Sequence, residues 1–311
     1  MIKRFLSSVF PIKGDSKGQI IRKIIAFVAF IVLVVSIIQI ASYYSQSIAN
    51  NHANSTLTKI YSSTTSQVSS TVSQSPYPAE MLAKFYSFFD INKDVRGRIK
   101  IPNTNIDYPV VQYTDNAYYL KKDFDNKDNK YGVPFLDFQN SLNPNSQNLI
   151  IYGHNMNDDQ MFHELTKYRD VNFYKTSPII SFDTIYGSFS WKIFAVFITT
   201  TDANGNDTFP YRYTAFGSSD QFMSFISDVK KRSVINTVVD VQIDDKLLTL
   251  STCAYDHGID NERFVVMARQ VRDGEDLNVG TAVKNPKPLY PDIWYKVNGG
   301  TKPTFTSSSS K

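Results

Sequence analysis

"KLLTLSTCAYDHGIDNERFVVMARQV", Lys246–Val271, reads as two strands joined by a loop. "LLTLSTC" and "RFVVMARQV" are rich in β-branched and apolar residues, and the nine residues "AYDHGIDNE" between them carry the Gly, Asp and Asn of a turn. If the two strands pair antiparallel, Cys253 and Arg263 sit nearly opposite each other, on the same face, with Cβ atoms about 5 Å apart. Side chains alternate along a strand, so Thr249, Ser251 and Cys253 share one face, while Leu248, Leu250 and Thr252 mostly point to the other. The leucines claim the core, which leaves the cysteine on the polar face at a strand end. It is the only cysteine among 311 residues, so an intramolecular disulfide and Cys-x-x-Cys metal clusters are excluded by counting. A lone cysteine is ordinarily a buried hydrophobe. This one, beside hydroxyls and opposite an arginine that would favour a thiolate or hold a nearby oxyanion, points to a nucleophile.

A nucleophilic thiol needs a proton carrier, and the chain offers His52, His154, His163 and His257. His52 lies in a polar N-terminal stretch, and His163 falls within an expected helix. His257 is close in sequence, but a strand carries residues four apart to about 13 Å, so contact requires the loop to fold back. His154 is the better candidate, because it ends the strand "NLIIYGH" after a Gly, where a side chain can emerge from the rim of a barrel. Tyr152, Ser251 and Thr252 adjoin these residues and are candidates for the substrate groove. Asp256 is expected to cap the loop, with orientation of His154 as the alternative. "DFDNKDNKYG", Asp123–Gly132, is acidic but lacks six suitably spaced oxygen ligands for calcium. No metal and no cofactor are expected.

Working outward, further strands are expected in "GRIKIPNTNIDYPVVQ", "YGVPFLDF", "PIISFDTI" and "SFSWKIFAVFITT". Helices are expected in "AEMLAKFYSFF", from Asp158 to Asp170, and from Ser218 to Arg232, the last with Ser and Asp at its start and Lys-Lys-Arg at its end. Many strands and few helices suggest a mainly β fold, a closed barrel or a sandwich with helical insertions, spanning residues 79–295. Residues 296–311 read as a flexible tail.

The N-terminus is of a different kind. Ile24–Ala41 runs 18 residues without a charge, about 27 Å as a helix, close to a hydrocarbon core of roughly 30 Å. Lys3, Arg4, Lys13, Lys17, Arg22 and Lys23 precede it, and no charge follows until Lys59. Residues 1–23 are therefore expected to be cytoplasmic, 24–41 to span the membrane, and the rest to lie outside. A cleaved signal peptide is the competing reading, but no clear A-x-A site follows the run. Residues 42–78, dominated by Ser, Thr, Asn, Gln and Tyr, read as an extracellular stalk, partly helical near "TLTKIYSS". A net charge of +4 and the absence of RNP, zinc-finger and Gly-rich phosphate-binding patterns argue against nucleic acid as a partner.

"NLIIYGHNM", "LTLSTC" about a hundred residues later and an arginine ten residues after the cysteine resemble the signature of sortases. The resemblance extends to "IKIPNTNIDYPVVQ" and "FHELTKYRD" and covers roughly residues 79–271. The ending Ser251-Thr252-Cys253 and the helix before the cysteine strand look most like class B. The resemblance implies an eight-stranded sortase barrel with N-terminal helices, and His154, Cys253 and Arg263 as the catalytic set. It implies cleavage of a C-terminal sorting motif of secreted proteins, NPxTN-like or PPxTG-like, after its Thr through a Cys thioester. Transfer would then go to a peptidoglycan cross-bridge amine or, alternatively, to a pilin lysine, on the outer face of a Gram-positive membrane. An L,D-transpeptidase also pairs Cys, His and Arg, but its S-x-G-C context is missing. A non-catalytic anchored wall-binding module remains as a different class. One departure is Arg98, where many relatives have Trp.

Overall fold

The computed structural model describes residues 10–305 apart from 12, 66–76, 202–207, 256 and 260. Two compact units divide the chain at Ala53/Asn54. The first holds most of helix α1 (Lys17–Thr65), whose most apolar 18-residue window is unburied and long enough to cross a membrane.

The second unit is built on a closed eight-stranded barrel. After a 3-10 turn at Ala83–Phe85 and helix α2 (Tyr86–Ile91) come β1 (Val95–Lys100), β2 (Asp107–Val111), β3 (Phe135–Leu136) and β4 (Asn148–Tyr152). There follow helix α3 (Val171–Thr176), β5 (Ile179–Thr184), β6 (Gly187–Thr200), helix α4 (Ser219–Arg232) and β7 (Ile235–Thr237). The chain closes with β8 (Leu247–Cys253), β9 (Glu262–Gln270), β10 (Ala282–Lys284) and helix α5 (Asp292–Asn298). Around the barrel the order is β1-β2-β3-β4-β8-β9-β6-β5, and β7 and β10 form a separate two-stranded sheet. Closure leaves the barrel itself without a free edge.

Alternation assigns the two faces of β8 as expected, with one difference. Leu248, Leu250 and Ala254 enter the barrel interior with Leu149, Ile151, Phe264 and Val266. The opposite face is polar yet covered. Thr249 is buried, its hydroxyl donating to Asn148 Oδ1 at 2.8 Å, and Ser251 is buried beneath Tyr211. The cover comes from α4 and the segment before it, where Phe209, Tyr211, Phe222 and Phe225 form a second apolar cluster with Phe197 and Met267. Ser218 caps α4 by accepting from Gln221 N.

One expected element differs. The helix expected from Asp158 to Asp170 is a 3-10 run, His163–Arg169, followed by α3. Asp159 and Met161 adopt φ of 62° and 55°, which no right-handed helix admits, and Asp170 is extended and caps α3 by accepting from Asn172 N. The expected stalk, 42–78, is helical as far as Thr65, and residues 66–76 lie outside the described residues. Leu57 and Tyr61, one helical turn apart, are buried with Phe85 and Phe88. Tyr61 also lies against Arg98, 4.4 Å from its ring centroid, and Arg98 donates to Asp107 at 2.6 Å. Arg98 thus fastens this helical turn to β1 and β2. At the other end, α5 carries helical structure past Tyr295 to Asn298, with Trp294 stacked on Tyr290 at 4.1 Å.

Candidate active site

Three neighbouring strands carry the site. β4 and β8 run parallel with Tyr152, the last residue of β4, beside Ser251, and His154 follows two residues past that strand end, as Cys253 follows Ser251 to the end of β8. β8 and β9 run antiparallel with Cys253 opposite Arg263. His154, Cys253 and Arg263 therefore stand in a row at one end of the barrel, all half-buried, and line one cavity of about 320 Å³.

Local geometry fixes each member. Gly153 must be glycine, because a Cβ there would meet the Phe162 ring at 2.7 Å, and its N–H donates to Ser251 O. The ring of His154 is held by Leu120, whose carbonyl oxygen is 2.8 Å from Nε2. A carbonyl only accepts, so Nε2 carries a proton and Nδ1 is the atom left to exchange one. Asn155 ties the histidine loop to the cysteine strand by donating to Cys253 O at 2.8 Å, and its own Oδ1 is 2.6 Å from His163 Nδ1. Arg263 is steadied by one bond, Nη1 to Glu262 O at 2.9 Å, and pairs with no carboxylate among the described residues.

The remaining candidates separate cleanly. His257 is bound to the buried Glu262, Nδ1 to Oε1 at 2.6 Å, and does not line the cavity. His163 faces Asn155 and Asp159. Tyr152 lines the cavity, and its hydroxyl donates to the buried Asp137 at 2.8 Å. Burial, and then the Asp137 charge, push its phenol well above the ordinary range. Ser251 and Thr252 also line the cavity, although each is only 2% exposed. Ser251 is engaged by Tyr211 OH at 2.9 Å, whereas Thr252 Oγ1 is buried without a hydrogen-bond partner among the described residues. Asp256 lies outside the described residues. In Asp123–Gly132, Asp123 accepts from the backbone of Asp125 and Lys127, and Asp125 and Asp128 pair with Lys127 and Lys122. Among the described residues no group of three or more His, Cys, Asp or Glu gathers as a metal site would require.

Sequence reasoning missed Asn116, Leu120, Phe135, Thr201, Tyr211 and Arg212, which complete the lining. They come from loops and from strands remote in sequence, and no spacing rule connects them to Cys253.

The Sortase domain family model matches residues 99–271, which include all three residues of the row. The chain belongs to the sortase family. Sortase B of Staphylococcus aureus is 36% identical over 189 residues, covering 61% of this chain and 75% of the relative. Sortase B of Listeria monocytogenes is 37% identical over 181 residues, 58% and 71%. The fold is similar to a Staphylococcus aureus sortase B–substrate complex, with a TM-score of 0.64, 31% identity and coverage of 74% of this chain and all of that one. The sortase barrel implied by the resemblance is thus present, and the protein is a sortase B-like cysteine transpeptidase.

Proposed function

We propose that this sortase cleaves a C-terminal sorting motif of secreted proteins after its Thr and transfers the acyl group to an amine of the cell-wall cross-bridge. The observation that supports the reading is one cavity lined by His154, Cys253 and Arg263, with Cys253 and Arg263 paired across adjacent strands. Cys253 Sγ, as thiolate, attacks the Thr carbonyl carbon, and Arg263 donates hydrogen bonds to the oxyanion. His154, protonated at Nδ1, gives that proton to the leaving amine as the C–N bond breaks, which leaves a thioester on Cys253. An incoming amine loses a proton to Nδ1, attacks the thioester carbon and releases the thiolate. Tyr152, Ser251 and Thr252 line the groove that receives the motif, and Tyr152 and Tyr211 are held in place there by hydrogen bonds to Asp137 and Ser251.

The apolar stretch of α1 anchors the enzyme as a single-pass helix, N-terminus cytoplasmic and catalytic domain outside. The reading is supported by its length, its unburied surface and the basic residues before it. The test is cleavage by the full chain in detergent of NPxTN-like and PPxTG-like peptides, with cross-bridge-type amines and a pilin-type lysine peptide supplied in competition. Amide product with the cross-bridge amine is expected. Product with the lysine peptide alone would make the enzyme a pilin polymerase, and failure to cleave either motif would overturn the reading.

A further inference from the structure

The cavity around Cys253 has an unusual charge balance. Its lining includes Arg212 and Arg263 with His154, and among the described residues no Asp or Glu. Asp137, the nearest carboxylate in the hydrogen-bond network, is buried behind Tyr152 and Asn116, both of which donate to it. Arg263 stands opposite the nucleophile and is accounted for by the oxyanion. Arg212 is not accounted for.

Exposed arginines are commonly just solvated, but three observations set Arg212 apart. Its backbone is anchored on both sides. Tyr211 is buried with its hydroxyl on Ser251, the residue two before the cysteine, while the carbonyls of Tyr213 and Thr214 accept from Asn148, the first residue of the histidine strand. The guanidinium is therefore presented from a fixed point on the rim, which lowers the ordering cost of using it. It stands close enough for its charge to act on the phenols of both Tyr152 and Tyr211. And it has no carboxylate partner among the described residues, whereas Arg98, Arg269 and Arg272 each have one.

We propose that Arg212 is a carboxylate-binding residue of the substrate groove, so that the enzyme selects a substrate bearing an ionised carboxylate near the reacting carbonyl. An arginine fork matches a carboxylate in two parallel hydrogen bonds, which a neutral amide of the same size cannot reproduce. The carboxylate belongs either to the incoming amine or to the sorting-motif peptide, and the proposal rests on the thioester chemistry above.

The test uses the full chain in detergent. In one arm the acceptors are glycine and glycinamide, which differ at the carboxylate. In the other the donors are two motif peptides with Asp or Asn directly after the Thr. Each arm is read as the rate ratio of the charged to the neutral partner, and comparing variants cancels their intrinsic reactivity. Arg212→Gln should lower one of the two ratios by about fivefold, the upper end for an exposed ion pair, and Arg212→Lys should restore part of it. A fall in the acceptor ratio assigns the carboxylate to the amine, and a fall in the donor ratio assigns it to the motif. Identical ratios in wild type and Arg212→Gln, with Cys253 acylated normally, overturn the proposal alone. Absence of acylated Cys253 in the wild type overturns the thioester reading with it.

Discussion

Strand β9 carries two arginines on one face, six residues apart, and their surroundings are opposite. Arg269, 1% exposed, donates to Glu275 at 2.6 and 2.7 Å and to Asp240 at 2.9 Å. Lys192, opposite it on β6, also donates to Glu275, and Arg272 reaches Asp240 and Asp245. Three cations there meet three carboxylates, so the desolvation cost of the buried charges is offset locally. Arg263, at the other end, meets Cys253, a backbone carbonyl and a cavity. The difference teaches what separates a structural from a functional cation in this barrel: the counter-charge of the first is built into the chain, and that of the second arrives with the reaction.

The comparison can be broken in several ways. Cys253→Ala should abolish cleavage and transfer in the peptide assay while the thermal unfolding midpoint stays near wild type. Arg263→Ala should lower kcat/KM by about 10²–10³, the usual loss for one oxyanion donor, with stability changed by less than about 1 kcal/mol. Arg269→Ala should do the reverse. Its removal takes a buried guanidinium and its hydrogen bonds away from the half-buried Glu275 and the exposed Asp240, and chemical denaturation should report a loss of about 1–3 kcal/mol. If Arg263→Ala unfolds the protein and Arg269→Ala silences it, the contrast fails.

A finer prediction concerns pH. The hydrogen bonds from Arg269, opposed by burial and reinforced by Lys192, hold the Glu275 carboxyl well below the ordinary carboxylate range. A depressed folded-state value contributes stability that is present above the unfolded value, about 4.3, and is lost as pH falls through and below it. The unfolding midpoint should therefore fall steeply from about pH 5 towards pH 2 in the wild type and less steeply in Glu275→Gln. The smallest effect on turnover is expected for His257→Ala. It should leave transfer within about threefold of wild type but lower stability by roughly 1–3 kcal/mol, since Glu262 loses its partner inside the fold. His154→Ala, assayed beside it, should be inactive.

Legibility in the sequence followed the range of the interactions involved. The pairing of Cys253 with Arg263 and the inward turn of Leu248 and Leu250 were readable, because strand parity and a short loop are local rules. His154 could be favoured but not fixed. Its place depends on parallel pairing of β4 with β8, about a hundred residues apart in sequence, and here the family resemblance supplied what spacing did not. The rim formed by Tyr211 and Arg212 was invisible, since it rests on a long connection anchored by Ser251 and Asn148. The burial of Leu57 and Tyr61 was hidden by a composition that is otherwise polar. The 3-10 run at His163–Arg169 kept helical apolar spacing while the left-handed residues Asp159 and Met161 prevented an α-helix.

The central claim is that Cys253 becomes acylated by a sorting-motif peptide in a site completed by His154 and Arg263. Intact-mass measurement of the full chain, quenched in acid during turnover without an added amine, tests it most directly. Wild type should gain the mass of the motif fragment ending in Thr, hydroxylamine should remove it, and Cys253→Ala should gain nothing. An equal mass gain in Cys253→Ala, or peptide cleaved with no dependence on the thiol, would contradict the account.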